Sequence, residues 1–454
     1  MKKTGYISLD DLQVMYDQGE IDTVVMAFTD MQGRLVGKRV AARHFLENIS
    51  HHGAECCNYL LTVDVENNTI QGYALSSWDT GYGDMVMVPD MATMRMTPWL
   101  PGSVMVTTDL ESTSHEAIPQ SPRSILKAQI ARLEAMGFRA FVGTELEFIL
   151  FDETYRGAFK KGYRKLKPST DYNVDYDLLA STRVEPLLRD IRNHMDAAGM
   201  YCEGVKGECN LGQQEIAFLY DEVLRTCDNH GIYKAGAKMI ADGHGKALTF
   251  MAKYNEREGN SCHIHMSLRG TDGSMLFGDD GDPGGMSPLF KSFLAGQIAH
   301  MQELTLLYAP QINSYKRYVE GSFAPTAIAW GLDNRTVSFR VVGKGAGMRV
   351  ENRVPGGDVN PYLATAAMIA AGISGIEQGL ELEEITEGNG YIADKPRVAS
   401  SMRDAAELFA QSAFAREAFG DAVVDHYVHY ARTEIREFES VVTEWERIRG
   451  FERL

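Results

Sequence analysis

The stretch GTELEFILFD, residues 143–152, sets two carboxylates among apolar residues: Glu145 and Glu147 stand two positions apart, the spacing that puts side chains on one face of a β-strand. The same period recurs in NSCHIHMSL (260–268), where His263 and His265 share a face, and in MRVENRVP (348–355), where Arg349, Glu351 and Arg353 do. Three apolar-flanked strands therefore present ionisable groups on like sides, and burying such groups without partners is costly. A fourth stretch, KGECNLGQQEIAF (206–218), adds Glu208 and Glu215 on either side of a turn at Gly212. Each glutamate alone also fits a solvated strand position, because charged residues mostly lie at the surface. Their joint arrangement points to a metal or a polyanionic ligand.

Outward from this core, residues 22–44 (DTVVMAFTDMQGRLVGKRVAARH) predict two short strands around the turn-prone MQGR, then a helix from about Ala41. Turn and strand signals fill 80–110. A polar stretch with two prolines, ESTSHEAIPQSPRS, marks a boundary near 115–122, giving an N-terminal domain over 1–117 and a catalytic domain over 118–454. The second part opens with a helix whose Ser121 and Pro122 occupy the cap and first-turn positions. Alternating strands and helices follow. From about 360 the pattern is helical: an Ala-rich buried segment from Tyr362 to Ile376, a helix over 402–418, and an amphipathic helix from about 421 to the end.

At 454 residues, 44% hydrophobic and 24% charged, the chain is a globular protein large enough for two domains. A net charge of −17 speaks against a phosphate-backbone binder, since nucleic-acid affinity rests on clustered Lys and Arg. Six cysteines without CxxC spacing read as reduced thiols or buried small hydrophobes, which implies a cytoplasmic compartment. The opening MKKTGYISLDDLQVMYDQGE carries two lysines with no apolar run after them, which speaks against a secretory signal. Nothing predicts a membrane span.

With these motifs in order along nearly the whole chain, the sequence resembles the type I glutamine synthetases. The resemblance implies an α+β architecture: a small N-terminal β-grasp domain and a larger catalytic domain with a curved, mostly antiparallel sheet and helices. It assigns Glu147, Glu208 and Glu215 to one divalent metal, Mg²⁺ or Mn²⁺, and Glu145, His263 and Glu351 to a second. Oxygen-rich ligands suit such hard cations, and two of them can clamp a transferring phosphoryl group. Arg317, in NSYKRYVEG, corresponds to the ligand of the glutamate α-carboxylate. Arg335 and Arg340, in GLDNRTVSFR, face the transferring phosphate and ATP; Arg349 faces ATP and Arg353 the reacting γ-carboxylate. Guanidinium forks suit these oxyanions; the bland alternative is surface arginines paired with acidic neighbours. Glu203, Tyr220, His265 and Ser267 match positions near the nucleotide, although Tyr220 also fits an ordinary core tyrosine. In YNEREGNSCH, Gly259 matches the glutamate-binding loop, while Glu258 stands where the family has an asparagine.

Two departures concern ammonia. Aligned on Trp78, IQGYALSSW places Gln71 where the family has its ammonium-binding aspartate. In RYVEGSFAP, bracketed by Arg317, Ala324 and Pro325, Phe323 stands where the family has a glutamate base. If the N-terminal loop aligns otherwise, Asp64 or Glu66 replaces the lost acid. The resemblance therefore points to the branch that makes γ-glutamylamides: ATP phosphorylates the γ-carboxylate of L-glutamate, and a small amine such as ethanolamine, an alkylamine or an arylamine displaces phosphate. The alternatives are a glutamine synthetase with a divergent ammonia site and a catalytically silent relative. The family's ring assembly, two stacked hexamers forming a dodecamer, is expected to complete each site with a neighbour's N-terminal domain. The motif around Tyr391 is poorly kept, which speaks against adenylylation there.

Overall fold

The chain, described over residues 5–454 in this computed structural model, first builds a small sheet. Its strands are β1 (Thr23–Thr29), β2 (Leu35–Ala41), β3 (Ala54–Cys57), β4 (Asp84–Pro89), β5 (Arg95–Met96) and β6 (Ser103–Ser112). They lie in the order β2-β1-β6-β4-β3, with β5 also on β6. The β1–β6 pair is parallel and the other pairs are antiparallel. Val24, Met26 and Phe28 alternate inward along β1 and pack with Val104 and Val106 of β6, the period-2 pattern a half-buried strand requires. Strand β2 is a largely exposed edge whose Lys38 and Arg39 discourage pairing with another chain. Lys2 and Lys3, part of the reading against a leader, lie outside the described residues.

The β1–β2 turn docks this sheet on the rest of the chain. Asp30 Oδ1 accepts the N–H groups of Gln32 and Arg34, and Gly33 takes φ +77°. A Cβ at Gly33 would lie 3.2 Å from the Val359 carbonyl oxygen. From the other side, Asn360 Nδ2 donates to the carbonyls of Asp30 and Met31. The same Asn360 caps the helix Pro361–Gln378 by accepting from Tyr362 N–H.

The second sheet contains β7 (Phe138–Phe151), β8 (Cys202–Gly207), β9 (Gln213–Phe218), β10 (Asp221–Glu222), β11 (Ala247–Thr249), β12 (Cys262–Gly270), β13 (Trp330–Leu332), β14 (Phe339–Val342) and β15 (Arg349–Asn352). Its order is β13-β14-β15-β12-β7-β9-β8, with β10 and β11 also on β7. All its pairs are antiparallel except β13–β14. Leu146, Phe148, Ile264, Met266 and Val350 are buried and join the main core, each worth about 1.5–3 kcal/mol on burial. The intervening residues therefore point to the opposite face, where the ionisable groups are.

The Ala-rich run forms the buried helix Pro361–Gln378, against which Pro288–His300 packs at very short range. A Cβ at Gly296 would lie 2.1 Å from the Ala371 carbonyl oxygen, so the small residues permit the crossing. Two helical expectations need correction. The 402–418 segment is two helices, Met402–Gln411 and Ala413–Phe419, because Ser412 is extended and its side chain accepts from Ala415 N–H. The C-terminal helix also breaks, into Asp421–Ser440 and Glu444–Gly450, where Thr443 and Glu446 form a capping box. Ser121 sits at the cap position of Pro122–Ala135, but its side chain makes no capping bond. No helix among the described residues is long and apolar enough to cross a membrane. All six cysteines are free.

Candidate active site

Strand register brings the ionisable side chains into rows across the second sheet. Lys206, Glu215 and Glu147 lie opposite one another on β8, β9 and β7. One row along, Glu145 of β7 faces His263 of β12; in the next, Gly143, His265, Glu351 and Arg340 follow across β7, β12, β15 and β14. Glu208 enters from the turn after β8, which Gly212 closes at φ +70°. A Cβ there would lie 2.4 Å from the Leu150 carbonyl oxygen, so the turn requires glycine.

Two groups of potential metal ligands result, each with ligand atoms within 4.8 Å of one another: Glu147, Glu208 and Glu215, and Glu145, His265 and Glu351. His263 adjoins the second group, with Nδ1 3.4 Å from both Glu145 and Glu351. A third group joins Asp175, Glu208 and Cys209. Glu147 is fixed from behind: Ser261 N–H and Gln213 Nε2 both donate to its Oε2, at 2.7 and 3.0 Å. Burial and the charge of Glu147 push Glu215 up to about 8, even though Lys206 lies 3.8 Å away and pairs with Glu208. Burial and Arg353 push His263 down to about 4, leaving a neutral imidazole whose Nε2 is buried without a hydrogen-bond partner. His265 Nε2 is 3.0 Å from Glu145 Oε1, yet the two form no hydrogen bond. Crowded carboxylates and unpartnered ring nitrogens fit a divalent cation better than they fit one another.

Both cavities adjoin at Glu145. The first, about 390 Å³, is lined by Glu145, Glu147, Glu208, Glu215, Gly259, His263, Phe323, Arg335, Arg340 and Arg353 among others. The second, about 310 Å³, is lined by Glu145, Glu203, Tyr220, His265, Ser267 and Arg349 and by two residues the sequence reading passed over, Phe141 and Arg269. The Arg269 guanidinium lies 4.0 Å from the Phe141 ring centroid and donates to Tyr220 Oη at 2.8 Å. Both were visible in the period: 263, 265, 267 and 269 share one face of β12, and 141, 143, 145 and 147 share one face of β7.

The arginines divide by their partners. Arg353 donates to Glu351 at 2.5 Å, and Arg340 bridges Glu351 and Asp333. Burial would raise Glu351, but His263 and then Arg353 outweigh it and hold the carboxyl down to about 2. Arg349 donates to His265 Nδ1 at 3.2 Å. Arg335 is exposed and forms no ion pair among the described residues. Arg317 is only 2% exposed and does not line the cavity. It donates to the carbonyls of Val354 and Arg353 and to Ser261 Oγ, at 2.8, 3.1 and 2.9 Å.

Phe323, with φ +58°, lines the acidic cavity and is 55% exposed. Gln71 is not brought to it within one chain. Its side chain bonds Tyr82 Oη and Trp78 N–H, and its carbonyl accepts from His429. Asp64 closes its own turn by accepting from Glu66 N–H, Asn68 N–H and Asn68 Nδ2, and neither Asp64 nor Glu66 lines the cavity. The acids that line it near the turn after β8 are Asp175 and Glu258. Tyr391 is buried in a short helical turn, Gly390–Ile392.

A sequence profile described as "Glutamine synthetase, catalytic domain" matches residues 119–449. Over 452 residues the chain is 55% identical to a γ-glutamylethanolamide synthetase of Streptomyces coelicolor, covering 100% of this chain and 97% of that one. A glutamate–isopropylamine ligase of a Pseudomonas species is 35% identical over 439 residues, with 95% of each chain covered. Among solved structures, a GmaS–ADP complex superposes with a TM-score of 0.86 at 28% identity, over 97% of this chain and 99% of its own.

Proposed function

Because the chain belongs to the glutamine synthetase family, we propose that it is the ATP-dependent ligase joining the γ-carboxylate of glutamate to an organic amine, with ethanolamine and short alkylamines as preferred substrates. The observation that carries this reading is a single cavity in which the carboxylate cluster and Arg335 meet Phe323 instead of a carboxylate base.

In this reading Glu147, Glu208 and Glu215 hold one divalent metal, Mg²⁺ or Mn²⁺, and Glu145, His263 and Glu351 the other, with His265 beside the second. When bound, such ions supply electrostatic stabilisation for phosphoryl transfer. Arg269 and Phe141 flank the adenine with Tyr220; Glu203, Ser267, Arg340 and Arg349 hold the rest of ATP. Arg335, with no carboxylate partner among the described residues, neutralises the transferring phosphate, and Arg353 orients the γ-carboxylate through its bond to Glu351. Gly259 contributes backbone contacts to glutamate. Arg317 supports this wall through the Arg353 and Val354 carbonyls. The γ-carboxylate becomes γ-glutamyl phosphate, whose phosphate the amine displaces.

An alkylamine arrives as a cation, and Asp175 and Glu258 supply negative charge in the same cavity. Phe323 offers its carbon chain an apolar wall. Gln71 from a neighbouring copy completes the pocket in a ring assembly, proposed as a dodecamer, with the chain divided at 117/118 into its N-terminal and catalytic domains. The 74% exposure of Trp78 in the Gln71 loop supports that contact.

The test is phosphate release from ATP and glutamate across ammonia, methylamine, isopropylamine, ethanolamine, putrescine and aniline. Ethanolamine or a short alkylamine is expected to give the highest kcat/KM. Ammonia as the best substrate would overturn the reading. Phe323→Glu is expected to shift preference toward ammonia.

A further inference from the structure

A cavity of about 670 Å³ opens where the β1–β2 turn meets the catalytic part of the chain, and it shares no lining residue with the two cavities described above. Its walls are largely apolar: Leu35 and Val65 on the N-terminal side, Met239, Phe250 and Met251 on the other. Into this apolar space project two lysines one helical turn apart, Lys234 and Lys238 of the helix Val223–Gly243. Lys234 has one hydrogen bond, to the Gly357 carbonyl at 3.1 Å. Neither lysine forms an ion pair among the described residues; both ammonium groups instead sit over the Phe250 ring, at 5.6 and 5.8 Å from its centroid. Burial and then the charge of Lys238 push Lys234 down to about 8, against the opposite pull of Asp358.

The same cavity holds one carboxylate, Asp358. Its Oδ2 accepts from Ser314 Oγ at 2.7 Å, whereas Oδ1 is buried with no hydrogen-bond partner. Arg34, on the rim, is already committed to Asp30 and to the Val65 carbonyl. The cleft therefore gathers two lysines without an ion pair among the described residues, the carboxylate of Asp358, whose charge offsets part of the shift on Lys234, and largely apolar walls. A simple anion would relieve the lysines but be repelled by Asp358. A phosphate would leave the apolar walls bare, and a simple amine would add to the lysine repulsion.

We propose that this cavity is a binding site for an α-amino acid with an apolar side chain, its carboxylate on Lys234 and Lys238, its ammonium on Asp358, and its side chain against Met239 and Met251. The site is separate from the one that takes glutamate as substrate and does not depend on the amine assignment. Ligand-sized cavities of this kind, apolar with a few convergent polar groups, span about 300–1,000 Å³.

The experiment is calorimetric titration of L-leucine into the full chain held in excess glutamate, which occupies the substrate's own amino-acid site. 4-Methylpentanoate, lacking the ammonium, serves as the comparator. Leucine is expected to bind, 4-methylpentanoate at least about tenfold more weakly. Lys238→Ala, at the exposed mouth, is expected to weaken leucine by about tenfold while turnover with ATP, glutamate and amine is unchanged. Asp358→Asn is expected to narrow the difference between leucine and 4-methylpentanoate. Absence of leucine binding, equal affinity in Lys238→Ala, or equal affinity for leucine and 4-methylpentanoate in the unmodified protein would each overturn the proposal.

Discussion

Arg317 and Arg335 carry the same charge into opposite surroundings. Arg317 is enclosed and bonded to main-chain oxygens, so Arg317→Ala takes the donor from the Arg353 carbonyl and leaves the Val354 carbonyl with Tyr318 Oη alone. It should cost about 1–3 kcal/mol in denaturant unfolding, with loss of activity following from the displaced Arg353. Arg335→Ala should leave stability within about 0.5 kcal/mol and cut turnover by about 10²–10³-fold. Matching stability losses in the two variants would contradict this division. For the carboxylates, Glu147→Ala and Glu351→Ala should each raise the Mg²⁺ requirement and lower phosphate release by at least about 10–100-fold, measured by Mg²⁺ titration of turnover. The cluster itself was legible in the sequence because period 2 is a local property of one strand, visible at Glu145 and Glu147 or His263 and His265. The bonding of Arg317 was not: its acceptors lie 36, 37 and 56 residues away, and nothing local distinguishes it from Arg335.

The turn between β8 and β9 shows what a short connection does for the site. Glu208 stands before it and Glu215 after it, so the turn sets their separation, and Gly212 lets it close against Leu150. Gly212→Ala should destabilise the protein by about 1–3 kcal/mol and weaken metal-dependent turnover, read by thermal unfolding and Mg²⁺ titration together. Unchanged values in both would show that the turn has room to relax. The Gly212 turn and the buried helix were legible because glycine and continuous apolarity are strong local signals. The breaks at Ser412 and at Thr443 were not, since serine and threonine occur both within helical patterns and at their starts. Only the backbone bond each side chain makes decides between the two.

Across the whole molecule, the C-terminal helix ties the chain's two ends together through His426, which donates from Nε2 to the Leu61 carbonyl at 2.8 Å. Burial pushes this imidazole down to about 3, against an unfolded value of about 6.5. The unfolded chain therefore binds the proton more readily, and stability is lost as pH falls from about 6.5 toward about 3, by an amount on the order of a few kcal/mol. His426→Gln should flatten that part of the pH–stability profile; an unchanged slope would place the acid sensitivity elsewhere. The proposed ring assembly rests on the resemblance and not on one chain's geometry, in which Gln71 and Phe323 occupy separate places. The row arrangement across β7, β12 and β15 also constrains ancestry. A one-residue shift in the register of the whole strand Cys262–Gly270 would turn His263 and His265 toward the core and Ile264 and Met266 toward the acidic face. Changes of length in these strands would therefore disrupt the face, whereas on the proposed reading new amine preferences arise in the loop 319–325, where a codon can be gained without reversing a face.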